Sequence, residues 1–260
     1  MSDPLDFAGK VVIVTGGARG VGRGISERFL ESGADVVVCG RTRPETLPES
    51  GGRPALFTPA DVRDVEQIEA AVAFTTGRFG RLDVLVNNAG GSPFSEAASA
   101  SPRFSEKIIQ LNLVAPLHFA QKANAVMQEQ ESGGSIINIA SVSGVRPSPG
   151  TAAYGAAKAG LLSLTQTLAV EWAPRVRVNA VTAGMIRTEQ SHRHYGDEEG
   201  LAAVAATVPL GRMGEPRDVG DVCLFLASPL ASYVSGANVL MHGGGERPAF
   251  LSAARNVRRD

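Results

Sequence analysis

Cysteine is almost absent from this 260-residue chain. Cys39 and Cys223 are the only two, too few for a disulfide framework and too far apart for a CxxC zinc site. Aromatic residues are scarce, with one Trp, three Tyr and ten Phe, which leaves little for stacking against single-stranded nucleic acid. Neither sign of charge dominates. The 25 Lys and Arg against 26 Asp and Glu give a formal net charge of -1, so electrostatic capture of DNA, RNA or an anionic membrane finds no support. No apolar run approaches the roughly 20 residues of a membrane span. The opening MSDPLDFAGK lacks the basic and apolar regions of a secretory leader. The expectation is a cytoplasmic protein that binds neither nucleic acid nor membrane. Glycine, by contrast, is abundant at 30 residues, which suits a backbone that turns tightly or approaches a ligand closely.

Short apolar runs alternate with longer segments of helical spacing. The runs fall at Lys10–Thr15, Val36–Cys39, Ala55–Thr58, Val84–Asn87, Ser135–Ala140, Val176–Val181 and Asn238–Met241. Runs without polar alternation suit strands covered on both faces, as in a parallel sheet. Between them, Gly22–Ser32, Val65–Phe79, Pro102–Glu129, Ala152–Trp172 and Asp218–Ala227 carry apolar residues at helical intervals. Strand–helix alternation with right-handed crossovers gives a doubly wound, Rossmann-type α/β sheet with helices on both faces. The reading is one domain over residues 1–260, with about seven mostly parallel strands. Three stretches break the rhythm: a loop over Arg41–Pro54, a mixed polar and apolar stretch over 185–208, and a tail over 246–260 ending in Arg255, Arg258 and Arg259.

After the first run comes TGGARGVG, residues 15–22. Glycines there let the chain turn sharply and bring backbone N–H groups and a helix N-terminus to a pyrophosphate. Further on, Tyr154 and Lys158 stand four apart at the head of a strongly helical stretch, so both project from one face. An ammonium beside a phenol favours the phenolate, although a bare YxxxK is also what an ordinary amphipathic helix presents.

Taken together, TGGARGVG (15–22), NNAG (87–90), Ser141 and YGAAK (154–158), in this order and spacing, resemble the single-domain short-chain dehydrogenases/reductases. The resemblance covers residues 7 to about 245. It implies a nicotinamide dinucleotide lying along the carboxyl ends of the strands, beside Gly16, Ala18, Gly20, Val21 and Gly22 and beside Asn87, Asn88, Ala89 and Gly90. Asp61 resembles the residue that hydrogen-bonds the adenine, with Val62 next to it, and Gly184, Ile186 and Thr188 should pass near the nicotinamide. The resemblance assigns Ser141 to hold the substrate oxygen, with Ser143 as the fallback. It makes Tyr154 the acid or base and Lys158 the residue that lowers the Tyr154 pKa and holds the ribose. Asn112 resembles the asparagine that positions a relay water; the lesser alternative is an Asn that caps or bends the turn before Pro116. Such enzymes are usually homotetramers, built through helices matching Pro102–Glu129 and Ala152–Trp172.

The second strand ends at Gly40, where an NAD enzyme carries a carboxylate for the ribose hydroxyls, and Arg41 follows. With Arg19 in the glycine turn, the expected cofactor is NADP(H) over NAD(H). Two departures from the family stand out: Ala183 in place of a proline, and His242 in place of an acid before Gly243 and Gly244. His192 and His194 are two residues apart without a third ligand, so no metal is expected. Cys39 reads as a small buried hydrophobe, and GxSxG of a serine hydrolase is absent. The expected activity is hydride transfer between NADP(H) and a secondary alcohol or ketone. A 3-oxoacyl thioester, a steroid-like ring or another apolar ketone would fit. The competing reading is an NADP(H)-binding regulatory or scaffold protein without turnover.

Overall fold

The β-branched run at the start makes strand β1 (Val11–Thr15), all five residues of which are buried. Helix α1 (Gly20–Glu31) and strand β2 (Asp35–Gly40) follow. The computed structural model describes residues 3–253, so Arg255, Arg258 and Arg259 lie outside the described residues. Within the stretch expected as a loop over Arg41–Pro54, β3 (Glu49–Ser50) and β4 (Arg53–Pro54) form a small antiparallel hairpin. Its signal is the Gly51–Gly52 pair, whose φ angles of 58° and 75° suit a tight hairpin turn.

Strand β5 (Leu56–Pro59), helix α2 (Val65–Phe79) and strand β6 (Val84–Asn87) come next. Asp64 starts α2 by accepting from the N–H groups of Glu66 and Gln67. The segment expected as one helix over Pro102–Glu129 is α3 (Pro102–Ile109), a π-helical turn (Gln110–Val114) and α4 (Ala115–Glu129). Then follow β7 (Gly134–Ser141), α5 (Ala152–Glu171) and β8 (Val176–Ala183). The mixed stretch over 185–208 holds two helices, α6 (His192–Tyr195) and α7 (Glu198–Thr207). Asp197 caps α7 on Gly200 N, and the Leu-Ala-Ala-Val-Ala-Ala run that follows favours helix strongly. The remaining elements are α8 (Pro216–Ala227), β9 (Asn238–Met241) and α9 (Ala249–Ala253).

Seven strands pair in parallel in the order β5-β2-β1-β6-β7-β8-β9. The chain winds outward from β1 in one direction, then returns to β6 and winds outward in the other. The strand order reverses between β1 and β6, and the crevice beyond their carboxyl ends is where such sheets bind ligands. Asp83 fixes this junction from below. Its buried carboxylate accepts from Val11 N at 2.9 Å and Lys10 Nζ at 3.2 Å, and pairs with Arg81.

Alternate residues of the strands feed two cores. On one face, Val12, Val14, Val36 and Val38 meet Ile25 and Phe29 of α1 and Leu224 of α8. On the other, Ile13, Val37 and Leu85 meet Ile68 of α2, Phe119 of α4 and Leu168 of α5. Helices α1 and α8 approach closely because Gly24 faces Pro216, where a Cβ would lie 2.4 Å from the proline Cβ.

Candidate active site

The turn from β1 to α1 occupies the crevice. Gly16 and Gly20 have φ of 63° and 52°, backbone that a side chain strains. At Gly22 a Cβ would stand 2.3 Å from the Gly16 carbonyl oxygen and 2.5 Å from Asn88 Nδ2, so only glycine lets α1 begin this near β1. The loop after β6 is tied to the same turn. Asn88 N and Ala89 N both donate to Thr15 Oγ1 at 2.9 Å, and Asn88 Nδ2 donates to Thr15 O at 2.9 Å. At the head of α1, Gly20 N donates to Glu189 Oε1 at 3.1 Å, and Thr188 lies beside the same glycine. A carboxylate already rests on this helix N-terminus, so the donors there suit an anion. The residues present therefore fit the phosphate part of a dinucleotide. No pattern in the sequence pointed to Glu189, which is 169 positions away from its partner.

At the other end of the crevice, β2 ends at Gly40 with open space beside it; the nearest atom to a Cβ placed there would be Phe57 Cε2 at 4.0 Å. Arg19 and Arg41 are exposed, and the Arg43 guanidinium lies 5.8 Å from the Phe57 ring centroid. Asp61 faces Arg63, which donates from Nε at 2.9 Å and from Nη2 at 2.6 Å. That guanidinium, with Arg41 adding to its field, holds the Asp61 carboxyl below the usual carboxylate range. Val62 beside it is buried. Asn87 turns away from the crevice, donating to Pro116 O and Asn138 Oδ1 in the interior.

Helix α5 carries Tyr154 and Lys158, and the Lys158 Nζ lies 5.7 Å from the Tyr154 ring centroid. Lys158 is only 3% exposed and donates to Ile139 O at 2.7 Å. Burial pulls its pKa down to about 8. Tyr154 differs from expectation. Burial pushes its phenol above the ordinary value, the Ser141 hydroxyl pulls it back, and the nearby Tyr195 phenol pushes it up again. The one influence that lowers it is the Ser141 hydroxyl, and burial outweighs it, so the lowering expected from Lys158 is not seen.

Ser141 is the last residue of β7, and its Oγ accepts from Ser143 N at 3.2 Å. Ser143 instead joins a loop network through Ser148 Oγ at 3.0 Å. Asn112 sits fully buried in the π-helical turn. Its Nδ2 donates to Ile108 O at 2.9 Å and Gly91 O at 3.0 Å, and its Oδ1 accepts from Gly91 N at 2.8 Å. A Cβ on Gly90 would lie 2.6 Å from Asn112 Oδ1 and 3.4 Å from Lys158 Nζ, so Gly90 brings those two side chains together. Asn112 is thus bonded to Gly91 and to its own helix, and both it and Lys158 flank Gly90.

Beyond β8, Gly184 N donates to Met241 O, and Gly184 packs on His242 so closely that a Cβ would lie 2.7 Å from the histidine Cβ. Ile186 forms an isolated bridge to Gly214. Tyr195 of α6 directs its hydroxyl at Met185 Sδ, 3.6 Å away. Cys39 is buried and its thiol is pushed up to about 12, which leaves it unreactive.

A dinucleotide crevice at a sheet reversal, with a Ser, Tyr and Lys group at its end, defines an oxidoreductase of alcohols and carbonyls. A family model described as enoyl-(acyl carrier protein) reductase matches residues 16–246, and the chain belongs to the short-chain dehydrogenase/reductase family. It is 38% identical over 245 residues to L-rhamnose 1-dehydrogenase (NAD(P)(+)) of Azotobacter vinelandii, covering 90% of this chain and 96% of that one. It is 36% identical to a 3-oxoacyl-acyl-carrier-protein reductase of Vibrio harveyi, covering 92% and 98%. Among solved structures, a putative short-chain alcohol dehydrogenase from Sinorhizobium meliloti 1021 superposes with a TM-score of 0.85 at 34% identity, covering 93% of this chain and 98% of that one. Among the described residues, no helix is long and apolar enough to cross a membrane.

Proposed function

We propose that this chain is an NADP(H)-dependent oxidoreductase that interconverts a secondary alcohol and a ketone. The observation that carries the reading is the pairing of Tyr154 with a buried Lys158, with Ser141 at the adjacent strand end. The turn over residues 16–22, Asn88, Ala89 and Gly90 would hold the dinucleotide, with Ile186 and Thr188 closing over it. Arg19 and Arg41 would meet the 2′-phosphate, since Gly40 offers no carboxylate to repel it. When bound, the nicotinamide supplies the hydride to the carbonyl carbon or takes it from the alcohol carbon.

The chain's own residues handle the proton and the geometry. Ser141 Oγ hydrogen-bonds the substrate oxygen and fixes its direction. In reduction, Tyr154 Oη gives its proton to that oxygen as the C=O π bond opens; in oxidation it takes the proton back. Lys158, with a pKa of about 8, exchanges protons readily near neutral pH and would anchor the ribose. Asn112, which with Lys158 flanks Gly90, would continue the proton path through a water. A ring alcohol or a ketone fits the names of the relatives, among them a levodione reductase of known structure, at 31% identity and a TM-score of 0.82 over 92% of this chain and 98% of that one. Assembly as a homotetramer would use α4 and α5, where Val170 is 81% exposed.

The test is oxidation of NADPH and NADH against 3-oxoacyl thioesters, cyclic ketones and steroid ketones. Turnover with NADPH that Tyr154→Phe abolishes, with NADPH binding kept, is the expected result. Retained turnover in that variant would overturn the assignment of Tyr154. NADPH binding without turnover of any ketone or alcohol would favour the silent nucleotide-binding protein.

A further inference from the structure

The loop between β7 and α5 carries an arginine whose hydrogen bonding is incomplete. Arg146 Nη1 donates to Pro147 O at 2.9 Å, and Nη2 donates to a Glu246 carboxylate oxygen. Nε is buried and has no acceptor. Arginine grips a carboxylate most firmly when Nε and Nη2 donate side by side to its two oxygens. Here that edge is half used, because Glu246 reaches Nη2 alone.

Glu246 is held there loosely. It follows Gly243, Gly244 and Gly245, with φ of 63°, 94° and 87°, and the ion pair is about one-third exposed on each side. Exposed pairs of this kind contribute little stability. The pair also lies one turn from the strand end that carries Ser141: Arg146 N donates to Val142 O at 3.0 Å, and the flanking Ser143, bonded to Ser148 of the same loop, donates from its N–H to Ser141 Oγ.

We propose that Arg146 selects a substrate carrying a carboxylate, a hydroxy acid or oxo acid, and that the Glu246 side chain holds its place until that carboxylate displaces it. The substrate carboxylate would bind both Nε and Nη2 of Arg146 while its carbonyl meets Ser141 and Tyr154. This inference rests on the oxidoreductase reading above and narrows its substrate class.

The experiment compares short oxo-alkanoates with their methyl esters as NADPH-dependent substrates of the full chain. The acid should exceed its ester in kcat/KM by about 10- to 100-fold, mostly through KM. Arg146→Gln should bring that ratio close to one, Arg146→Lys should restore part of it, and Glu246→Gln should lower KM for the acid. NADPH titration of each variant reports whether it is folded. An acid-to-ester ratio near one in the parent protein, or a ratio unmoved by Arg146→Gln, would overturn the inference. Tyr154-dependent turnover confined to neutral ketones would overturn it and leave the oxidoreductase reading standing. Bound NADPH with no turnover of any ketone or alcohol would overturn both.

Discussion

Replacing Lys158 with Met should stabilise the protein while ending its turnover. A free lysine titrates near 10.5, whereas buried Lys158 titrates at about 8. Its folded-state pKa is thus depressed, and for a base this means that the fold disfavours the charged form. Below pH 8 both folded and unfolded chains hold the proton, and the fold carries the whole cost, about 3 kcal/mol. As pH rises from 8 towards 10.5 the folded chain loses its proton first, and the cost shrinks to about 1.5 kcal/mol by roughly pH 9.5. Methionine keeps the apolar stem but removes the bond to Ile139 O, which returns about 1 kcal/mol of instability. The net gain at neutral pH is about 2 kcal/mol, or roughly 4–8 °C in thermal midpoint for a chain of this size. Melting both proteins without cofactor, at equal concentration, between pH 7 and pH 9.5 reads the difference. A variant that melts at or below the parent at pH 7 would refute the reasoning. So would a gap that fails to narrow at alkaline pH.

Three further outcomes follow from particular contacts. Gly40→Asp places a carboxylate in the open space at the end of β2 and should move the kcat/KM preference from NADPH towards NADH by about tenfold or more; an unchanged ratio would argue that the ribose is held elsewhere. Glu189→Gln weakens the anion that rests on Gly20 N, so fluorescence titration should give NADPH binding about 2- to 5-fold tighter, and weaker binding would mean that Glu189 supports the cofactor rather than competing with it. Asp83→Ala leaves Val11 N without its acceptor and should cost about 2–4 kcal/mol in urea unfolding, while KM for cofactor in the remaining folded enzyme stays near the parent value.

The seven strands were legible because most are largely apolar runs, a pattern that central parallel strands covered on both faces demand, even though Arg177 and Asn179 interrupt β8 and the edge strands β5 and β9 are only partly buried. Strand length and helical spacing place Ser141 at a strand end and Tyr154 with Lys158 on one helical face, while their candidate roles came from the family resemblance. The hairpin at Glu49–Pro54 was not read, because two strands of two residues leave no periodicity and only the Gly-Gly pair marks them. The π-helical turn was hidden as well. Asn112 sits at ordinary helical spacing, and its side-chain bonds to Gly91, 21 positions away, leave no local trace. Contacts such as Gly20 with Glu189, or Arg146 with Glu246 100 positions on, depend on how distant loops meet and leave no local trace. The direction of the Tyr154 shift likewise needed the burial of the whole cleft, which motif spacing does not contain.

The central pairing of β1 with β6 also governs how the chain can acquire its shape. β1 is made first, yet Val11 N finds its acceptor in Asp83, 72 residues later, and β6 pairs next with β7, which ends at Ser141. A chain growing from its N-terminus at roughly 5–20 residues per second therefore holds an apolar strand with one bare edge for several seconds. Pairings over such separations form slowly and expose sticky edges meanwhile. Truncations ending before residue 84 should aggregate rather than fold, and the nucleotide crevice should be among the later features to appear on the ribosome. The reversal in strand order that opens the candidate crevice is thus also the point at which the young chain is most exposed to its neighbours.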